Sequence, residues 1–497
     1  MTMLNNPEPS SLVAQEPRPL ELPIIDIPPV TSGSQGVPNS PVTSIAASEQ
    51  TIVAQEDGVD AGAIPDGGLR AWLVVLGGFL DFAIAFGLVN SFGTFQARYE
   101  SDWPWLSTST ITWIGSIQLF ILFLGGAVVG PIFDKHGSRA LMFSGTAVCL
   151  LSFICSSFAT RYYQYLMAQG ILLGIGSALL FYPATGAISE WFNHKRGLAL
   201  GIALSGSSVG GIFWPIIINK LFASVPGPWV HRIIALISVP ILLISCFLVR
   251  ERKLTTPATA IVVTDTEANL SGSVTTSATK PEADKDKLEA TAETSKAGSG
   301  ILEAVCERRF GALCLSLFFI YGGMLVPFYY IPLFAIEHGL GATKANNLLA
   351  IGYAGSVVGR VGSGWIADRF GRFNVLFIMG VLTATITFSW GSMTSPAGMT
   401  ASALLFGLFS GGLVPLGSAC VAQTTPDMGR IGLRIGLMMA FASFAALAGG
   451  PASGAIKDAT AAWLAVYSFS AALTLAGAGL LLAVRFWWRP FGDKAVF

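Results

Sequence analysis

From Ala71 to about residue 486 the chain is a succession of apolar runs, each about 20 residues long, and this recurrence limits its fold more than any other feature. A run of that length crosses roughly 30 Å of hydrocarbon as a helix rising about 1.5 Å per residue. Twelve runs are present, at about 71–96, 111–133, 140–158, 163–187, 198–221, 230–249, 310–335, 346–367, 373–393, 401–422, 431–455 and 463–486. The fold expected is an all-α membrane protein, with twelve transmembrane helices in two six-helix halves solvated by a lipid bilayer.

The runs divide the chain. Residues 1–64 are rich in Pro, Ser, Gln and Glu, with Arg18 their only Lys or Arg, and are expected to be a disordered cytoplasmic tail. The N-terminal half is 65–249. A cytoplasmic linker over 250–309 lacks apolar periodicity except for a short helix-compatible stretch near 284–293. The C-terminal half is 310–486, and 487–497 is a cytoplasmic C-terminal tail. No positively charged start with a short apolar core precedes Trp72, so the first span is expected to direct insertion.

Orientation follows from retention of Lys and Arg on the cytoplasmic side. Lys135 and Arg139, Lys195 and Arg196, Arg369 and Arg372, and Arg430 and Arg434 fall in the even-to-odd connections, and Arg250, Arg252, Lys253, Arg308 and Arg309 flank the linker. The opposite connections carry fewer. Both termini are then cytoplasmic, and the plasma membrane is the default location.

Lys plus Arg and Asp plus Glu both total 29, so the chain offers no basic field for a nucleic-acid partner. Its six cysteines have no metal-type spacing, and no cofactor is implied. His136, His194, His231 and His338 form no catalytic pattern, which argues against an enzyme. The phosphate-binding pattern GxxxxGK[ST] is absent, so uphill movement of a solute would draw on an ion gradient, with protons the first candidate.

The halves resemble each other. Gly130-Pro-Ile-Phe-Asp134-Lys135-His-Gly137-Ser-Arg139 follows the second span, and Gly364-Trp-Ile-Ala-Asp368-Arg369-Phe-Gly371-Arg372 follows the eighth. Glycines at Gly130 and Gly364 permit close helix approach, and Asp134 and Asp368 suit a neighbouring helix N-terminus. With Arg139, Arg369 and Arg372 they would form a cytoplasmic gate; a basic turn serving topology alone is the simpler alternative.

A motif used twice on twelve spans resembles the major facilitator superfamily, over about 65–486. Pro65-Asp66-Gly67-Gly68, and Trp191-Phe-Asn-His-Lys195-Arg196-Gly-Leu-Ala-Leu-Gly201, resemble the monocarboxylate porter family in its fungal branch. An Asp-Gly-Gly turn also suits entry into a helix, with Asp66 accepting first-turn N–H groups. The resemblance implies that Asn90 stands where carriers of that family have a lysine, Ser356 where they have an aspartate, and Arg360 where they have an arginine. Only the arginine is kept, so lactate-type symport does not carry over.

Asp81 and Arg360 are the charges placed deep within spans, about 15 Å and about 12 Å from the cytoplasmic end. Such groups usually serve a pathway or a pair. Arg360 is a candidate anchor for an anionic oxygen, or part of the gate; Asp81 is a candidate proton-coupling group, or a static partner of Arg360. Asn90, Tyr182 and Tyr321 are further candidates to line a solute site. The function expected is secondary active transport of a small organic solute, a carboxylate or related metabolite, coupled to protons by alternating access. The alternatives are an exporter of a secondary metabolite and a transporter-like sensor without net flux.

Overall fold

The computed structural model describes residues 66–252, 307–425 and 428–488. The tail expected over 1–64, linker residues 253–306 with the 284–293 stretch, and residues 489–497 lie outside the described residues. Twelve long spans are helical: α1 (Leu69–Asp102), α2 (Thr110–His136), α3 (Ser138–Phe158), α4 (Tyr162–Trp191), α5 (Arg196–Ser224), α6 (Gly227–Leu248), α7 (Arg308–Glu337), α8 (Ala342–Phe370), α9 (Arg372–Trp390), α10 (Pro396–Gln423), α11 (Ile431–Thr460) and α12 (Trp463–Phe486). Among the described residues eleven helices are long and apolar enough to cross a membrane; α8 has the length, 29 residues, but Arg360 and its glycines and serines dilute its apolar character.

Several spans are interrupted where small residues disturb the helical ladder. α1 breaks at Ser91, whose hydroxyl donates back to the Gly87 carbonyl at 2.7 Å, a bond that competes with the backbone ladder. α2 breaks at Gly125 and α10 at Gly412. Large apolar side chains such as Leu236, 76% exposed, and Phe247 point outward, an arrangement that suits lipid tails and would aggregate in water.

In the N-terminal half α1 packs along α5, and α3 lies between α4 and α6. In the C-terminal half α7 packs on α12 and α11, α8 on α10, and α9 on α12. The halves meet along two seams, α5 against α8 and α2 against α11. Cys149, Cys246, Cys314 and Cys420 are buried and unbridged within this packing, while Cys155 is unbridged and exposed.

Candidate functional site

Both copies of the loop motif lie at one end of the bundle, and their aspartates reach across the seams. Asp134, in the last turn of α2, accepts the backbone N–H groups of Gly432 at 2.8 Å and Leu433 at 2.7 Å, in the first turn of α11. Asp368, in the last turn of α8, accepts those of Gly197 at 2.9 Å and Leu198 at 2.8 Å, in the first turn of α5. First-turn N–H groups have no acceptor within their own helix and lie at the positive end of the helix dipole, so a carboxylate there is favoured twice. Each aspartate caps a helix of the other half. The motif glycines set the spacing: a Cβ on Gly130 would collide with the Gly432 carbonyl, and one on Gly364 with the Gly197 carbonyl.

The basic residues of the motif diverge. Arg372 is buried, donating to Asp368 at 3.3 Å and to the Asn193 carbonyl. Arg139 is exposed. The turn that carries it docks on the chain just after α6, where the Ser138 N–H donates to Glu251 at 2.9 Å and the Ser138 hydroxyl donates to the same oxygen. Burial pushes the Glu251 carboxyl upward, but the Ser138 bonds prevail and hold it below the usual range. Arg369 is exposed and lies over the Trp365 ring, 3.9 Å from its centroid. The structure therefore gathers Gly130, Asp134, Gly364, Asp368 and Arg372 at the seams and leaves Arg139 and Arg369 outside them.

Asp66 does not cap the first turn of α1, as its turn suggested. It reaches instead to the α4–α5 connection, accepting the N–H groups of Asn193 and His194, the latter at 2.6 Å. Positive φ at Asp66, 47°, and Gly68, 90°, bends the chain away from α1 and makes that reach available. Two segments read separately in the sequence are thus in contact, through Asp66 on one side and Asn193 and His194 on the other.

Midway along the α5–α8 seam, Arg360 donates from Nε to the Ser356 hydroxyl at 3.2 Å, and from Nη1 to the Ser207 hydroxyl at 2.6 Å and to the Leu204 carbonyl. The Ser208 hydroxyl donates to that of Ser356 at 3.1 Å, and the Asn90 amide donates to the Ser207 carbonyl at 3.2 Å. Asn90, Ser356 and Arg360 therefore converge on one short stretch of α5. Every acceptor for the guanidinium is a neutral oxygen, and among the described residues it has no carboxylate partner.

Asp81 lies elsewhere. It is fully buried, and neither carboxylate oxygen has a hydrogen-bond partner. The face that α1 presents to α5 is formed by Phe79, Ala83 and Gly87, which meet Gly206, Gly210 and Trp214. At 3.6 residues per turn, Asp81 is about 200° around the helix from Phe79 and from Ala83. It therefore points into its own half, on the side where Gly77 meets Leu248 and Val249 at the end of α6. The static pair with Arg360 is not formed.

Tyr182 donates its hydroxyl to the Phe123 carbonyl at 2.8 Å and packs on Gly126, so it braces the break in α2. Tyr321 lies over Gly417 of α10, and its buried hydroxyl has no hydrogen-bond partner.

Sequence reasoning missed Ser207, Ser208 and the Leu204 carbonyl. The stretch Ser205-Gly206-Ser207-Ser208 was visible as a run of small residues, but its use as acceptors for Arg360 depends on which helix lies opposite.

Comparison with known proteins follows the same lines. The family profile of the Major Facilitator Superfamily matches residues 71–404. The chain is 38% identical over 442 residues to the MFS-type transporter pynF of Aspergillus niger, covering 88% of this chain and 93% of that one. It is 32% identical over 442 residues to the aspyridones efflux protein apdF of Emericella nidulans, covering 88% of this chain and 82% of that one. Among solved structures, the Escherichia coli fucose:proton symporter FucP superposes with a TM-score of 0.62 at 16% identity, over 84% of this chain and 98% of that one, a likeness of fold alone.

Proposed function

Because the chain belongs to the Major Facilitator Superfamily, we propose that it is a secondary active transporter that exports a small organic metabolite bearing an anionic oxygen, in exchange for protons. The observation that carries this reading is Arg360, a guanidinium held between the halves by neutral oxygens alone. A carboxylate or comparable oxygen would displace the Ser207 hydroxyl and the Leu204 carbonyl as its partner, making the stronger charge-assisted, bidentate contact. Those displaced bonds join α5 to α8. Solute binding would therefore loosen the seam it enters, and the halves could rock about it. Asn90 would steady Ser207 from α1, with Tyr321 and Tyr182 on the facing wall.

In this reading the capped end is cytoplasmic, both termini are cytoplasmic, and the membrane is the plasma membrane. Asp134 and Asp368 close the cytoplasmic side in the state described, and opening it requires α11 and α5 to give up their caps. Asp81 is the proton-coupling residue. Taking up and losing a proton would change how α1 packs against α4 and α6, and α1 also lies along α5, the helix that holds Arg360. Export, rather than uptake, is supported by the relative named for efflux. We place the chain in the fungal branch of the monocarboxylate porter family on the joined segments at Asp66 and 191–201, with a solute other than a simple monocarboxylate because Asn90 and Ser356 replace the charged pair.

The test is to compare metabolites inside and outside cells with and without the gene, and then to measure flux of the exported compound in vesicles. Arg360→Lys is expected to raise the apparent solute constant about tenfold, since an ammonium lacks the planar fork. Asp81→Asn should lose proton-driven accumulation but keep exchange of labelled solute for unlabelled. Normal accumulation in Asp81→Asn would remove the coupling role.

A further inference from the structure

On the outer face of the C-terminal half, at the motif end, α8, α9 and α12 frame a groove of about 520 Å³. Ile366, Phe370, Phe377, Ile378 and Leu482 make apolar walls, and Arg485, in the last turn of α12, is the one charged residue lining it. Phe370 is 65% exposed, which shows that this side faces outward. Arg485 is half-buried, and among the described residues it has neither a hydrogen bond nor a carboxylate partner. Next to Phe370 in the chain, Arg369 adds an exposed cation over Trp365.

We propose that this groove binds an anionic phospholipid, with an acyl chain against the phenylalanines and the headgroup phosphate on Arg485. An unpaired guanidinium at the end of a span stands at the height of lipid headgroups, and an apolar slot beside it fits a chain that a free anion lacks. Arg369 favours a headgroup with net negative charge over one whose own ammonium neutralises the phosphate. Phe370 and Phe373 bracket Gly371 and Arg372, so a lipid seated here braces the turn whose Asp368 and Arg372 make the α8–α5 latch.

The full chain in nanodiscs of phosphatidylcholine, with or without phosphatidylserine, tests this by quantifying the lipid retained on extraction into detergent. Wild type should retain phosphatidylserine selectively. Arg485→Gln should lower that retention about fivefold, the effect of one basic residue at a membrane surface. Arg485→Lys should restore most of it, and Leu482→Trp, which fills the slot from a partly exposed position without touching charge, should lower it. Arg70→Gln, which removes an exposed charge at the same end, should leave it unchanged, and inorganic phosphate should not compete. Undiminished retention in Arg485→Gln, equal loss in Arg70→Gln, or displacement by inorganic phosphate would each overturn the proposal.

Discussion

The α2–α11 and α8–α5 seams are made of the same parts and used differently. Each pairs a motif glycine with the backbone at the start of the opposing helix, and each sets a carboxylate on that helix's first N–H groups. Beyond this, α2–α11 continues through ring contact of Phe120 with Phe444, centroids 5.8 Å apart, whereas α8–α5 continues into the Arg360 cluster. Asp368 and Arg360 are about 12 Å apart along one helix. Both seams share the glycine and the aspartate, and under the proposed function the Arg360 cluster beyond them is what would let α8–α5 respond to solute. The arginine is a local addition, buried at Arg372 and exposed at Arg139.

The largest effect that separates the seams should come from Gly364→Val. Its branches would meet the Gly197 backbone, which cannot move aside as a side chain can, so transport should fall more than about tenfold with insertion intact. Gly130→Val should do less, because its seam lacks the Arg360 cluster; equal losses in a flux assay would show that closure alone matters.

Next come the caps. Asp368→Asn and Asp134→Asn each remove a charge from a helix N-terminus, a change of about 0.3–2 kcal/mol, and Asp368→Asn also leaves Arg372 without its carboxylate. Reactivity of a cysteine placed at the motif end should rise in both. If the double substitution exceeds the sum of the singles, the two caps work as one gate.

The smallest contrast is between arginines. Arg372→Gln should weaken closure several-fold by the same reactivity measurement, whereas Arg139→Gln should change it by less than about 0.5 kcal/mol, as expected of an exposed charge. A comparable effect from Arg139 would mean that the two turns are equivalent after all.

Much of this was legible beforehand. The repeated spacing of Gly130 with Asp134, and Gly364 with Asp368, pointed to helix ends and close approach because both demands attach to residue type. Arg372 and Arg139 looked alike because sequence records that a cation is present and not whether an acceptor such as the Asn193 carbonyl lies within reach. Asp81 and Arg360 looked like partners because their heights can be counted along a helix, whereas their directions depend on which face of α1 meets α5.

By itself the sequence determined the all-helical membrane fold and its doubled loop motif, since lipid forces every backbone polar group into a helix and a run of about 20 apolar residues marks a span. Only the tertiary structure decided that Asp134 and Asp368 cap helices of the opposite half, that Asp66 holds the α4–α5 connection, and that Arg360 rests on Ser207 while Asp81 faces away. Those outcomes depend on backbone groups and helix rotations, which carry no residue-type signature and are set by how glycines allow one helix to lie against another.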